Sequence, residues 1–413
     1  MSGIRLCLYD DPADLPRFLP FTQSRPIGEL RYGAHLLRER AGSLFGPVAA
    51  HLGAPHLARF AEPGAPPVLS AAPGGGPLVL LRSTFVMDPA QDFAVALEEA
   101  TRPAARKGGV RLTDAAGATV GAIMVSGDAL QGPAGIGPGW PAVALRGKRL
   151  DGVWEIVADL TGVLRADIET ERAGREGGRI PAGCTVLGDP AQLLVDDGAL
   201  VEPLVVFDLR SGPVWIRAGA EIRATTRLTG PLVVGQDTRV VGGQLRESSI
   251  GPQCVVHGEV SNCVFLGYAN KSHDGFLGHS IVGRWANLGA GTITSNLKNT
   301  YGPVRLNLGA ERVDTGMTFL GSLIGDHVKT AIGTMLPTGC VIGTGANLFG
   351  TRRPEALVAA FAWGTDEPGR HLACRMFLQT ASRILPRRDV AFDAAMREYL
   401  ESVWCHATGL PCD

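Results

Sequence analysis

From residue 264 to residue 299 the chain places small or aliphatic side chains at every sixth position: Val264, Asn270, Phe276, Val282, Leu288 and Thr294, with Gly283 and Gly289 each following an aliphatic member. An amphipathic helix would repeat its apolar positions at steps of three and four, and a half-buried strand at steps of two. A step of six belongs to the parallel β-helix. There each six-residue unit is one short flat strand and one corner, and no unit can bury its apolar face without the coil above or below it.

The same period recurs elsewhere. Gly212-Pro213-Val214-Trp215-Ile216 returns as Gly230-Pro231-Leu232-Val233-Val234, three six-residue units later, or one turn of a three-sided prism. Ile216, Ile222, Leu228, Val234 and Val240 keep one phase and are predicted to point into one narrow core. The phase slips near Arg246, resumes at Ile250 and Val256, slips again before Val264, and is predicted to hold from there to Thr294. After a break it returns as Ile324, Thr330, Leu336, Ile342 and Leu348. Slips mark residues pushed out as loops. The long one, about 296 to 319, is predicted to leave the prism and reach across a neighbouring surface.

Residues 1–178 read as one α/β domain. Strands are predicted over 4–9, 78–85 and 118–125, with helices over 28–44 and 93–105. A longer helix is opened by Asp151 and carries Val153, Ile156, Val157, Leu160 and Leu164 on one face. The alternation predicts a largely parallel sheet. Residues 179–211 read as a strand-rich bridge, 212–352 as the prism, and 353–413 as a helical cap over the last open coil, with helices over about 371–385 and 390–404.

Glycine supplies 55 of the 413 residues, well above the usual share of about 7%, and much of it falls after residue 210, where corners need positive φ or bare backbone. A formal net charge of −1 gives no general field to attract nucleic acid. The start carries Asp10, Asp11 and Asp14 where a secretory signal would need an apolar core. No apolar run approaches the roughly 20 residues needed to span a bilayer. A cytoplasmic protein without a membrane partner is expected. The eight cysteines lack zinc-site or redox spacing and are expected to be buried, reduced thiols.

The unusual chemistry is inserted into the regular wall: His273 beside Lys271, then Asn287, a turn at Gly289-Ala290-Gly291, and Asn296, Lys298 and Asn299. Stacked strands are occupied with packing, so solenoids present function from corners and loops. A near-neutral base close to approachable backbone N–H groups suits transfer of an acyl group to an amine. A proton must leave the amine, and a developing oxyanion must be held. Asn287 and Asn296 suit sugar hydroxyls, and Lys298 or Lys329 suits a phosphate.

Three of the five lysines, Lys271, Lys298 and Lys329, lie in this region of an arginine-rich chain. In the first domain the loop after the first strand carries Arg25 and Arg31, which suit phosphates, without either Gly-rich phosphate motif. Asp128, past a predicted strand, is the candidate ligand for Mg²⁺. Two other readings stay open: a zinc hydrolase using His257, His273, His279 and His327, and a solenoid that only assembles or senses.

The string GAGTITSN, preceded by His273, Phe276, Leu277 and Gly278, resembles the acetyltransferase domain of the bifunctional N-acetylglucosamine-1-phosphate uridyltransferase/glucosamine-1-phosphate acetyltransferase family. NKSHDGFLGHS, NLGAGTITSNLKN and the later Ile324-Gly325-Asp326-His327 are more similar to its divergent branch of sugar nucleotidyltransferases. The resemblance is dense over about 210–365.

It implies a Rossmann-like nucleotidyltransferase domain followed by a left-handed β-helix with C-terminal helices. It also implies homotrimers with acetyl-CoA between prisms, and sugar phosphate and nucleoside triphosphate as substrates. His273 is implied as the base, Asn287 and Asn296 as sugar or acetyl contacts, and Ala290 as a backbone contact to CoA. Lys271, Lys298, Asn299 and Arg25 are further candidate substrate contacts, and Gly291 and Lys329 candidate cofactor contacts. The chain departs from the family in having Phe276 where a tyrosine is usual, and Arg25-Pro26-Ile27 where a glycine-rich loop and a lysine are usual. Acetylation of a hexosamine phosphate is the leading expectation. A sugar-1-phosphate nucleotidyltransferase with the prism as scaffold is the alternative.

Overall fold

The computed structural model describes residues 5–74, 77–90, 109–124, 135–137, 139–175 and 180–412. The predicted helix over 93–105 and Asp128 lie outside them.

In the first domain the strand Arg5–Tyr9 lies between Val48–Leu52 and Leu78–Arg82, parallel to both. Its inner residues are apolar on both sides, as suits a strand covered on two faces. Beyond Leu78–Arg82 the sheet continues through Thr119–Met124, Gly109–Thr113 and Ala142–Ala144. Thr119–Met124 runs antiparallel to both neighbours, because a tight turn from Asp114 to Ala118 folds it straight back on Gly109–Thr113. The sheet is largely parallel, as predicted, with four of its six pairings parallel and the two made by Thr119–Met124 antiparallel.

The helix expected over 28–44 is shortened to α1, Leu37–Phe45, whose first turn is closed by the Leu36 N–H donating to Glu39 Oε2 at 2.7 Å. Before it Arg31–Tyr32 pairs with His35–Leu36 around Gly33, whose φ of +67° cannot continue a helix. The helix expected after Asp151 is two: α2, Glu155–Ala158, and α3, Leu160–Arg172.

The prism begins at Thr185–Leu187, Leu193–Val195 and Leu200–Val201, which start its first, second and third faces. The segment 179–211 is thus largely the first coil and no bridge. It escaped the periodic pattern because Leu193 aligns with Val214, 21 residues on, whereas Val214 aligns with Leu232, 18 residues on. The second face gains a last strand at Leu357–Val358.

Inside, the second face stacks Ile216, Val234, Ile250, Phe265, Val282, Ile324 and Ile342, all buried in one core. The predicted phase is one residue off over part of this column. Phe265 and Leu277 point inward, and Val282 follows Leu277 after a step of five. Period-two geometry sends each neighbour the opposite way, so Asn270 and Phe276 face out and Lys271 takes the inward place between Val256 and Leu288 on the third face.

The second face is apolar outside as well. Trp215, Val233, Val264, Ile281, Leu323 and Val341 share a core with Phe18, Phe21, Ile27 and Leu30 of the first domain. The excursion lands on the same surface, as expected. It forms a hairpin of Arg305–Asn307 and Arg312–Asp314 that buries Leu306 and Val313 there. The outer positions of the first and third faces are more polar, with Arg227, Gln244 and Glu259 on the first and Glu221, Arg239, Asn270 and Asn287 on the third.

The cap consists of α4, Cys374–Ile384, and α5, Ala394–Thr408. Phe361, fully buried, packs edge-on against Phe377 of α4 at 4.9 Å. Cys374 and Cys412 are joined by a disulfide, against the expectation of reduced thiols. The spacing rules compare cysteines close in sequence, whereas this pair is 38 residues apart. Among the described residues no helix is long and apolar enough to cross a membrane.

Candidate active site

The corner between the third and first faces carries His273. Its side chain is exposed, and the corner beneath it is held from inside. Lys271 is 2% exposed. Its ammonium donates to the His257 carbonyl at 2.8 Å and the His273 carbonyl at 2.9 Å, tying two successive coils together. Burial pulls its pKa down to about 8. A Cβ on Gly258 would come within 2.9 Å of this ammonium, so the bare backbone there is what admits it. The expected role of Lys271 as a substrate contact is corrected: both bonds are internal, and its work is to fix the backbone on which the imidazole sits. Beside it His257 Nδ1 lies 3.2 Å from Asp274 Oδ1.

One coil on, the Gly291 N–H donates to the Asp274 carbonyl at 3.0 Å, which brings the Gly289-Ala290-Gly291 turn directly against the His273 corner. The next turn repeats it, the Gly333 N–H donating to the Ala290 carbonyl at 2.8 Å. Gly291 and Gly333 are exposed, and a Cβ on Gly333 would meet nothing within 4 Å. Gly333, with Ala331, Ile332, Arg352 and Arg353, lines a groove of about 110 Å³.

Asn287 faces outward on the third face. It aligns with Asn270 and with Lys329, and accepts from Asn270 Nδ2 at 2.8 Å. Asn270 Nδ2 also approaches Ser272 Oγ at 3.4 Å, so the amide ladder runs to the residue before His273. Lys329 donates to the Trp285 carbonyl at 2.6 Å and the His327 carbonyl at 3.2 Å, and burial pulls its pKa to about 7.

Asn296 lies at the opposite end of the first face. Its amide is 2.9 Å from His279 Nδ1, with Phe276 near Gly278 between it and the His273 end. Burial, and then Arg246, pull His279 down to about 4. Lys298 and Asn299 sit on the excursion, where the Lys298 ammonium donates to the Pro303 carbonyl at 2.6 Å. The structure therefore sets Ala290 and Gly291 against the His273 corner and aligns Asn287 with Lys329 on the third face, and it places Asn296, Lys298 and Asn299 at the far end of the first face and on the excursion.

Arg25 is elsewhere. It is 1% exposed and donates through Nε and Nη2 to Asp326 Oδ2 at 2.8 and 2.7 Å, with Glu62 3.4 Å away. The Ser24 hydroxyl donates to the same carboxylate at 2.7 Å, and the Arg284 N–H donates to its other oxygen at 2.7 Å. Burial raises the Glu62 carboxyl, but Arg284 and Arg25 outweigh it and hold it below the ordinary range. The expected phosphate contact is thus corrected. The loop after the first strand is sealed against the prism, and Arg25 is its bolt.

Among the described residues no three His, Cys, Asp or Glu side chains stand where they could hold a metal ion. Asp128 lies outside those residues, and no step is assigned to Mg²⁺. Tyr268, Asn270, Trp285, Arg387 and Arg388, which meet at the third face, were missed from sequence. The two arginines lie far along the chain, and nothing local marks them.

Residues 6–176 match the family model described as sugar nucleotidyl transferase. A bifunctional sugar-1-phosphate nucleotidylyltransferase/acetyltransferase of Sulfurisphaera tokodaii is 32% identical over 91 residues, 22% of this chain and 23% of that protein. A protein named bifunctional protein GlmU from Methanocaldococcus jannaschii is 34% identical over 86 residues, 21% of each chain. One from Methanococcus maripaludis is 27% identical over 232 residues, 54% of this chain and 50% of that one. The chain thus spans under a quarter of the length of the first two relatives. Among solved structures, a hexapeptide transferase family protein from Anaplasma phagocytophilum aligns at 14% identity with a TM-score of 0.22, covering 51% of this chain and 90% of that one. By these matches residues 6–176 are similar to sugar nucleotidyl transferase domains, and shorter stretches of the chain are similar to a bifunctional sugar-1-phosphate nucleotidylyltransferase/acetyltransferase and to proteins named GlmU.

Proposed function

We propose that the protein is a cytoplasmic transferase that moves an acetyl group from acetyl-CoA to the amine of a hexosamine phosphate, such as glucosamine-1-phosphate, on the way to a nucleotide sugar. The observation that carries this reading is the exposed His273 on a corner braced by Lys271 and set against the bare Gly289-Ala290-Gly291 turn. Bound acetyl-CoA supplies the thioester carbonyl. The protein's own residues do the rest. His273 accepts the proton that the attacking amine must lose as the new C–N bond forms, and returns it to the thiolate that leaves. The Gly289 and Gly291 N–H groups are spent on Thr330 and Asp274, so the Ala290 N–H of the turn holds charge on the carbonyl oxygen, while Asn287 orients the acceptor's hydroxyls.

One relative carries acetyltransferase in its name, and hexapeptide prisms of this kind suit a homotrimer in which the groove is completed by a second prism. Thiol release from acetyl-CoA plus glucosamine-1-phosphate tests the reading. His273→Ala should lower it by about 10²- to 10⁴-fold at unchanged thermal stability. Near-normal turnover in that variant would remove the assignment.

Nucleotidyl transfer by the first domain is the second reading, favoured by the family match over residues 6–176. It predicts pyrophosphate release from a nucleoside triphosphate and a sugar-1-phosphate. No release with any of the common nucleotides leaves the first domain as the partner that covers the second face.

A further inference from the structure

Where the third face meets the turn after α4, a cavity of about 300 Å³ opens between prism and cap. Asn270, Asn287 and Lys329 project into it from the prism, Tyr268 and Trp285 stack at 4.4 Å at one end, and Arg387 and Arg388 overhang it. Three cations line the cavity and no carboxylate does. The Arg387 side chain makes no hydrogen bond or ion pair among the described residues. Arg388 donates through Nε to the Gln253 carbonyl at 3.1 Å and through Nη1 to the Arg387 carbonyl at 3.4 Å, and keeps Nη2. Arg239, on the same face two rungs away, adds a fourth positive charge. The acidic groups whose charge reaches Tyr268 are Glu62, which is buried and paired with Arg284 and Arg25, and Asp237, which is exposed and 3.5 Å from Gln253.

Two of the three buried arginines among the described residues, Arg25 and Arg284, are paired closely with carboxylates. Like charges brought together in a concave site without a counter-ion are held at a cost that an anionic ligand offsets. Asn270 and Asn287 spend one donor and one acceptor on each other, which leaves an amide group on each for hydroxyls.

We propose that this cavity is a binding site for the phosphomonoester of a small polyol, a sugar phosphate, with the phosphate on Arg387, Arg388 and Lys329 and the hydroxyls on Asn270 and Asn287. The inference rests on the acceptor being a hexosamine phosphate and adds where its phosphate is held. The ladder from Asn287 through Asn270 to Ser272 leads from the cavity to the His273 corner.

Calorimetric titration of the full chain with glucosamine-1-phosphate, 3′,5′-adenosine diphosphate and inorganic phosphate tests it without turnover. The sugar phosphate should bind at least about tenfold more tightly than inorganic phosphate. Arg387→Gln, which breaks no internal bond, and Asn287→Asp, which puts a carboxylate of the same shape into the cavity, should each weaken it by about tenfold or more. Both variants are to be shown folded by thermal unfolding.

Unchanged sugar-phosphate affinity in the two folded variants overturns the proposal. So does a loss confined to the adenosine arm, which would make the cavity a nucleotide phosphate site. Acetyl transfer by wild type with normal binding in both variants sinks this inference alone. Arginine-dependent binding with no acetyl transfer sinks only the catalytic reading.

Discussion

The Lys271 ammonium donates to the main-chain carbonyl of His273 at 2.9 Å, from an inward position that its neighbours in the column fill with Val256 and Leu288. A buried lysine whose pKa is already pulled to about 8 costs stability. What it gives in return is a fixed corner. Lys271→Met keeps the length of the side chain and removes the charge, so stability should change by less than about 1.5 kcal/mol. The His273 carbonyl loses its tether, and acetyl transfer should fall by about 10- to 100-fold, mostly in kcat, because a misplaced base loses rate more than binding. Lys271→Ala should instead lose about 2–5 kcal/mol. Urea unfolding alongside steady-state kinetics separates the two effects. Full activity in a stable Lys271→Met variant would show that the tether does not matter.

Asp326 receives Ser24, Arg25 and the Arg284 backbone at one carboxylate, and so joins the first domain to the prism. Removing one partner of a buried pair leaves the other charge without compensation, which costs about 3–5 kcal/mol. Asp326→Ala should show that loss in chemical denaturation, with Arg25 stranded. A double change, Arg25→Met with Asp326→Ala, should recover part of it, since the guanidinium is no longer stranded while the Ser24 hydroxyl and the Arg284 N–H still lose their acceptor. A double variant no more stable than Asp326→Ala would mean that the pair's contribution lies in packing and not in charge.

How much of this could be read from the chain depended on whether the signal was periodic or positional. The eighteen-residue echo of Val214-Trp215 in Leu232-Val233 is reproduced as strand register in the structure, because coil length is set locally by corner residues. The same local rule broke between Leu277 and Val282, where a five-residue step reassigns every side chain from Val264 to Phe276, so Lys271 read as a surface cation and is a core one. Arg25 and Arg31 read as phosphate ligands because a strand-to-loop junction often serves that end. Nothing near Arg25 in sequence shows that Asp326 lies opposite. The third-face cavity was illegible for the same reason, being assembled from residues near 270, 287, 329 and 387 by the way the cap folds back.

His327 sits buried behind the prism corner, 5.3 Å edge-on from Phe377 of the cap. Burial, with Lys329 adding to it, pulls its pKa to about 3 from an ordinary 6.5, and Glu62 opposes them only in part. The folded state therefore holds it neutral where the unfolded chain would bind a proton. As pH falls below about 6.5 the unfolded state takes up protons that the folded state refuses, so stability declines progressively toward pH 3. Wild-type protein should show a melting temperature that drops between pH 7.5 and pH 5. His327→Asn, which tolerates the residue's φ of +59°, should flatten part of that slope. His279 and His56, both pulled to about 4 by burial first, His35, also lowered by burial, and Lys329, lowered to about 7, add to the slope. A slope unaltered by the substitution would assign the acid sensitivity to those other groups.

The disulfide between Cys374 and Cys412 closes the whole cap, α4 through α5, into one loop spanning 38 residues of sequence. Cross-linking a loop of that length removes conformational freedom from the unfolded chain worth about 3–4 kcal/mol by the loop-closure relation. The cap also buries Phe377, Tyr399, Val403 and Trp404 in a core with Phe361 of the last coil, so it should remain folded when reduced but open more easily. Reduction, or Cys412→Ser, should lower the melting temperature of the cap while the prism, whose core is continuous without it, unfolds as before. Hydrogen exchange resolved by peptide is the discriminating measurement. Faster exchange confined to residues of α4 and α5 is the expected result, and uniform acceleration through the prism would show that cap and prism unfold as one unit. Since Arg387 and Arg388 leave α4 directly for the third-face cavity, the reduced protein should also bind the sugar phosphate more weakly. Affinity that is indifferent to reduction would mean that the turn after α4 is held by its contact with Gln253 and needs no help from the bridge.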